Sequence, residues 1–143
     1  MKTANILDPE VPYSTLEKEN AFSSFMDIIR EGIQFKVFKI FAKTSPFTLT
    51  EWSSFLHLSE RTLQCYDKEK RKFDALQSEK ILEIVLLYKK GTEVFGTAEK
   101  FNSWLETDNL ALGRVKPKSF LDSSFGINLL KDELTRVEYG ILA

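Results

Sequence analysis

The amino-acid sequence predicts an all-α protein, and three observations predict it. Apolar residues recur at spacings of three and four through Phe22, Phe25, Met26 and Ile29, and again through Ile81, Leu82, Val85 and Tyr88. Such spacing gathers them onto single helical faces. Hydroxyl residues stand where short helices need N-caps, at Thr50 and Ser59. Glycine and proline then punctuate the joints, at Gly32, Pro46, Gly96, Gly113, Pro117 and Gly140. The chain has no low-complexity tract and no internal repeat.

Taken in order, residues 1–14 carry Pro9 and Pro12 with little periodicity and are expected to form a flexible N-terminal arm. From Thr15 the pattern turns helical and ends at Gly32. Phe35 to Phe41 fits either a strand start or a helical face through Val37, Phe38, Ile40 and Phe41; its helical neighbours favour a helix. Ser45-Pro46 breaks that element, because proline pushes the preceding residue out of the helical region. Thr50 is expected to cap a short helix bearing Trp52, Phe55 and Leu56. After a turn at His57-Leu58, Ser59 caps a second helix with Leu63 and Tyr66 facing inward. Two short capped helices joined by a brief turn are the sequence form of a helix-turn-helix, here without the glycine often found in the turn. Ser78 is expected to open a long helix reaching Phe95, in which Gly91 would come at some cost relative to alanine. Helices follow at about 98–105, from Pro117, and from about Ile127 to Tyr139. The expected division is an arm (1–14), a dimerisation and helix-turn-helix domain (15–90) and a second small helical domain (91–143).

Composition narrows the function classes. The 143 residues are 43% hydrophobic with 12 Phe, enough for a core, and the net charge is −1. Residues 21–90 hold 12 Lys and Arg against 9 Asp and Glu, whereas residues 91–143 hold 6 against 8, so the middle is mildly basic and the end mildly acidic. A single cysteine, Cys65, rules out an intrachain disulfide. No cationic start with a following apolar run is present, and Ile81 to Tyr88 is too short to span a bilayer. A soluble cytoplasmic protein without a membrane partner is expected. Catalysis finds no support: His57 and Cys65 are single residues without a surrounding cluster, the glycines are scattered, and Asp132-Glu133 beside Lys131 reads as a solvated face. The expectation is therefore no catalytic residue, no metal ligand and no cofactor.

The second helix of the pair offers a binding stripe. Opposite Leu63 and Tyr66 stand Arg61, Gln64, Cys65 and Lys68. Arginine can grip guanine and glutamine can grip adenine in bidentate fashion, while Lys68 and Ser59 can hold phosphates. Ser59, Arg61, Gln64 and Lys68 are the candidate DNA-binding residues. The basic run Lys68-Glu69-Lys70-Arg71-Lys72 fits phosphate contact or a solvated loop equally well.

The last fifty-odd residues are the most specific. They run Val94-Phe95-Gly96, Trp104-Leu105, Asn109-Leu110-Ala111-Leu112-Gly113, Pro117, Phe120-Leu121, Gly126, and Leu134-Thr135-Arg136-Val137-Glu138-Tyr139-Gly140-Ile141. This order resembles the toxin-binding domain of Xre-type antitoxins from bacterial RES–Xre toxin–antitoxin pairs, the group named for Xre, MbcA and ParS. The run Ser59-Glu60-Arg61-Thr62-Leu63 is similar to the opening of that family's recognition helix. Its glycines read as positions needing positive φ, and Trp104, spaced with Phe101 and Leu105, as core. Asn109 and Gly113 read as shaping a loop, with the Asn side chain serving local backbone groups. The resemblance implies a non-catalytic antitoxin that sterically blocks a RES-domain, NAD-degrading toxin and, with it, binds operator DNA to repress its own operon. It further implies that the chain end covers the toxin cleft, making Arg136, Gly140, Ile141, Leu142 and Ala143 the candidate toxin-binding residues. Packing of Ile141 and Leu142 on the protein's own core is the competing use. A stand-alone helix-turn-helix regulator and an adaptor that has lost DNA affinity are the rival readings. A homodimer is expected, with Phe22 to Phe41 as its interface unless those phenylalanines fill the core.

Overall fold

A computed structural model of the chain describes residues 6–18 and 22–140. Eight α-helices are described: α1 (Tyr13–Lys18), α2 (Phe22–Glu31), α3 (Phe35–Thr44), α4 (Leu49–Leu56), α5 (Glu60–Glu69), α6 (Ala75–Phe95), α7 (Ala98–Glu106) and α8 (Ser124–Glu138). Two 3-10 turns, Leu110–Leu112 and Pro117–Phe120, join α7 to α8. The described residues contain no strand, only two isolated antiparallel bridges, Gln34 with Lys72 and Asn109 with Val115. The fold is all-α, as the periodicity predicts.

Helix α6 is the spine. Its 21 residues bury Ile81, Leu82, Ile84, Val85, Leu87 and Gly91, and helices α1, α2, α4, α7 and α8 all pack against it. A helix buried on so many sides has little amphipathic character of its own. The helix-turn-helix region packs an aromatic cluster beside it. Trp52 sits at the hub, with ring centroids 4.9 Å from Phe38, 5.6 Å from Phe47 and 5.8 Å from Phe55, all edge-on. These are favourable geometries for ring quadrupoles.

Phe35, Phe38 and Phe41 are therefore core residues, and the expectation that they form a dimer interface gives way to the packing alternative. Among the described side chains of α2 and α3, Met26 and Ile40 are the exposed large hydrophobic ones. The ambiguous stretch from Phe35 is helical, since its aromatics fill one face against α4 and Phe73.

The expected flexible arm is packed over its described part. Ile6 and Leu7 are buried in the core, and the Lys89 ammonium donates to the Asp8 and Val11 carbonyls, at 2.5 Å each. Burial pushes the Lys89 ammonium down to about 8, against the opposing pull of Asp8 and Glu93. The lysine that holds this segment lies some eighty residues away, so local composition could not reveal the contact.

Two helix starts also differ from expectation. Helix α4 is capped by Thr48, not Thr50: Thr48 Oγ1 accepts from Glu51 N at 3.1 Å while Glu51 Oε1 accepts from Thr48 N at 3.0 Å, a reciprocal capping box. Helix α6 starts at Ala75 behind a second box, Asp74 with Gln77. Ser78, expected to open that helix, is buried inside it and accepts from Ile33 N at 2.9 Å. The expected boundary between residues 90 and 91 falls within α6. Gly91 lies in mid-helix because a Cβ there would come 2.2 Å from the Phe101 ring.

Candidate functional site

The helix-turn-helix pair is α4 and α5. His57 closes α4 in the left-handed region, at φ 55°, with Leu58 following, and Ser59 caps α5 by accepting from Thr62 N at 3.0 Å. Helix α5 anchors itself by Leu63, which is fully buried, and by half-buried Tyr66. Arg61, Gln64, Cys65 and Lys68 are all exposed on the other side. The structure thus brings three of the four candidate DNA contacts onto one solvent-facing surface of α5. The fourth, Ser59, is exposed at the helix start with its hydroxyl engaged in the cap and shared with Thr62 Oγ1 at 2.8 Å. Beyond α5, Lys70 turns left-handed at φ 55° and the Arg71 guanidinium lies 4.8 Å above the Tyr66 ring. The basic run is therefore held in place over that stretch.

The second surface belongs to α7, the loop after it and α8. Trp104 stacks on Phe101 at 5.7 Å and packs against the core, but it is half-buried at the edge of the core and not inside it. Asn109 shapes the loop by its backbone, its carbonyl accepting from Leu112 N and Arg114 N, and no side-chain cap forms. Gly113 has φ 91°, as expected. Gly126 is a correction: it lies inside α8 and is needed for room, since a Cβ would sit 2.3 Å from the Phe120 carbonyl oxygen. Ser123 caps α8 through Gly126 N at 2.9 Å.

Helix α8 buries Ile127, Leu130 and Leu134 against the spine. Its opposite stripe is Phe125, Leu129, Asp132, Arg136 and Tyr139, at spacings of four, three, four and three. Phe125 is 76% exposed and Tyr139 72%, with Leu129 on the surface between them. Arg136 stands in this stripe, its Nη1 bonded to Glu133 Oε2 at 2.9 Å. Gly140 leaves the helix at φ 70°. The remaining candidates, Ile141, Leu142 and Ala143, lie outside the described residues. Sequence reasoning missed Phe125, Leu129 and Tyr139. The available signal was a helix with two apolar stripes when one core face needs only one.

The two surfaces are tied together. Lys118, in the second 3-10 turn, pairs with Glu51 of α4 at 2.6 Å and with Glu106 at the end of α7. Burial pushes the Glu51 carboxyl up, but hydrogen bonds from Lys118 and the Thr48 backbone outweigh it and leave it below the ordinary carboxylate range. The Glu106 and Glu51 carboxylates hold the Lys118 ammonium above its ordinary value. His57 Nε2 donates to the Asp122 carbonyl at 2.7 Å, so the turn of the motif also touches the loop leading into α8. Among the described residues no group of three or more His, Cys, Asp and Glu side chains could hold a metal ion. None of the described helices is long and apolar enough to cross a membrane.

Comparison with known proteins meets this geometry at both surfaces. The profile described as the antitoxin Xre-like helix-turn-helix domain matches residues 24–86. The profile described as the antitoxin Xre/MbcA/ParS C-terminal toxin-binding domain matches residues 90–140. The chain belongs to the Xre family of antitoxins. A curated relative named Antitoxin Xre, from Photorhabdus laumondii subsp. laumondii, is 27% identical over 104 residues, covering 66% of this chain and 70% of its own. Within this family the first surface, on α4 and α5, is the helix-turn-helix, and α7 through α8 form the toxin-binding domain.

Proposed function

We propose that this Xre-family antitoxin blocks a RES-type, NAD-degrading toxin sterically, by seating the outer stripe of α8 and the chain end that follows it over the toxin's cleft. The observation that carries this reading is the exposure of Phe125, Leu129 and Tyr139 in one stripe with Arg136. Large apolar side chains aligned on a surface otherwise polar mark a protein-binding face. Burying each could contribute on the order of 1.5–3 kcal/mol, and Arg136 can reach a carboxylate or carbonyl beside them. The RES assignment rests on the order of motifs from Val94 to Gly140, which resembles domains paired with such toxins. No catalytic role or cofactor is part of this reading.

The α5 surface brings the antitoxin, alone or with its toxin, to its own operator as a repressor, with Arg61 and Gln64 reading bases and Ser59 and Lys68 near phosphates. A homodimer would place two such helices on half-sites about 34 Å apart. Among the described side chains of α2 and α3, Met26 and Ile40 are the exposed large apolar ones that could meet at an interface.

Co-expression with the product of the neighbouring gene tests the antitoxin reading. Phe125→Asp with Leu129→Asp should abolish growth rescue and co-purification while leaving the melting temperature and operator binding unchanged. Deleting Gly140–Ala143 should weaken rescue in the same way. Full rescue by both variants would overturn the docking proposal. Arg61→Ala with Gln64→Ala should release repression and spare neutralisation, and wild-type repression by that variant would remove α5 from base reading.

A further inference from the structure

Beside the reading helix lies a basic groove that none of the residues assigned above explains. It encloses about 700 Å³ between α3 and α5 and is lined by Lys36, Lys39, Ile40, Lys43, Asp67 and Lys70. Helix α3 has three lysines among ten residues and no acidic residue. Lys36, Ile40 and Lys43 share its exposed face, at spacings of four and three. Lys36 sits in the first turn, where the helix dipole is positive and a cation is unfavourable. Lysines one helical turn apart also repel one another. Lys43, in the last turn, suits the dipole, so helix stability accounts for Lys43 but not for Lys36 or for three lysines together. Among the described residues, Lys39 is the member of the three that is ion-paired, with Asp67 at 3.0 Å. The groove adjoins a smaller one whose lining includes Lys39, Lys43 and Gln64, the last of these on the stripe assigned to base reading. The cations of α3 thus border the same surface as the bases would, in a chain whose overall net charge is −1.

We infer that the lysine face of α3, together with Lys70, seats the phosphate backbone flanking the half-site that α5 reads. This inference rests on the DNA-binding reading above and widens its footprint from one helix to two. Contacts to phosphate fix register without carrying sequence, whereas base contacts specify. The two sets should therefore separate in one experiment. Full-length protein is titrated onto a duplex from the region upstream of its own gene, and onto an unrelated duplex of equal length, across a salt series. Each phosphate contact contributes about 0.9 to the slope of log affinity against log salt. Lys36→Gln with Lys43→Gln should flatten the slope by about 2 on both duplexes and lower both affinities by the same factor. The preference for the upstream duplex should be unchanged. Lys36→Arg with Lys43→Arg should keep the wild-type slope, which separates charge from any effect on folding. A wild-type slope and affinity in the glutamine variant would overturn the inference while leaving α5 as the reader. Lost preference with an unchanged slope would overturn it too, because the lysines would then act at bases. Failure of the unmodified protein to bind either duplex would instead sink the DNA reading, and this inference with it.

Discussion

The helix-turn-helix half and the toxin-binding half are built in opposite ways. The first packs a dense aromatic cluster: Trp52 and six phenylalanines, Phe35, Phe38, Phe41, Phe47, Phe55 and Phe73, are buried there. Its candidate DNA-binding stripe on α5 is polar and stands opposite a fully buried Leu63. The second half borrows its core. Phe101, Leu105, Leu121, Ile127, Leu130 and Leu134 are buried, but α7 and α8 reach their packing through the α6 spine. Its outward stripe on α8 sets Phe125, Leu129 and Tyr139 beside Asp132 and Arg136, where that of α5 carries no large apolar side chain. A surface that reads DNA needs donors and charge held rigidly, whereas a surface that buries a protein partner needs apolar area left uncovered. The toxin-binding half keeps that area because the spine, rather than its own second layer, supplies its stability.

The largest test of this contrast is Phe101→Ala. The ring fills the notch over Gly91 and stacks on Trp104, so its loss should cost roughly 3–5 kcal/mol. With the spine shared, thermal unfolding should remain a single transition at lower temperature, and operator binding should fail together with toxin binding on heating. Two separated transitions would show that the second half has a core of its own. Gly91→Ala probes the same contact from the other side. The added methyl group cannot fit beside the ring without a shift, and overpacking of this kind should cost about 1–3 kcal/mol. Equal or higher stability in that variant would show that the notch relaxes freely.

A third, smaller effect compares caps. Thr48→Ala should destabilise α4 by about 1 kcal/mol, whereas Thr50→Ala should change stability by only a few tenths of that. The Thr50 hydroxyl donates to Glu60 Oε2 at an exposed position, at 3.1 Å. Denaturant midpoints of the two variants decide it, and equal losses would remove the capping box from the account.

That comparison bears on what the residues disclosed beforehand. Helix periods, the His57 turn, the Ser59 cap and the stop at Gly96 were legible because each depends on neighbours a few residues away. The correct caps were legible too, since Thr48 and Asp74 precede Glu51 and Gln77 at box spacing, and Thr50 lacks such a partner three residues on. Ser78 misled because a serine before an apolar run looks like a cap, while its hydroxyl serves Ile33 from the far side of the core. The docking of residues 6–11 by Lys89 and the room needed at Gly126 were not legible, because both depend on long-range placement of another segment. The exposed stripe of α8 lay between these cases. Its spacing is in the sequence, but which of its two apolar stripes faces outward is settled only by where α6 runs.

The smallest expected effect concerns the link between the halves. Lys118→Met removes the cation that Glu51 and Glu106 share, and a partly exposed pair of this kind is worth about 0.2–1 kcal/mol. The sign of its pH dependence follows from the shifts. Glu51 is held below its ordinary value in the folded chain, so its contribution is present above the unfolded carboxylate range and is lost as pH falls through the folded value. Lys118 is held above its ordinary value, so its contribution is present at neutral pH and is lost only on the alkaline side, as pH rises through its folded value. The difference in melting temperature between wild type and Lys118→Met should be constant around neutrality and should shrink on acidification below the ordinary carboxylate range. Glu51→Gln keeps the capping acceptor but removes the charge, and should reproduce most of the loss with little pH dependence left. If the wild-type and Lys118→Met curves run parallel into acid, the bridge carries no stability. The halves would then be held together by the spine and by the His57–Asp122 hydrogen bond.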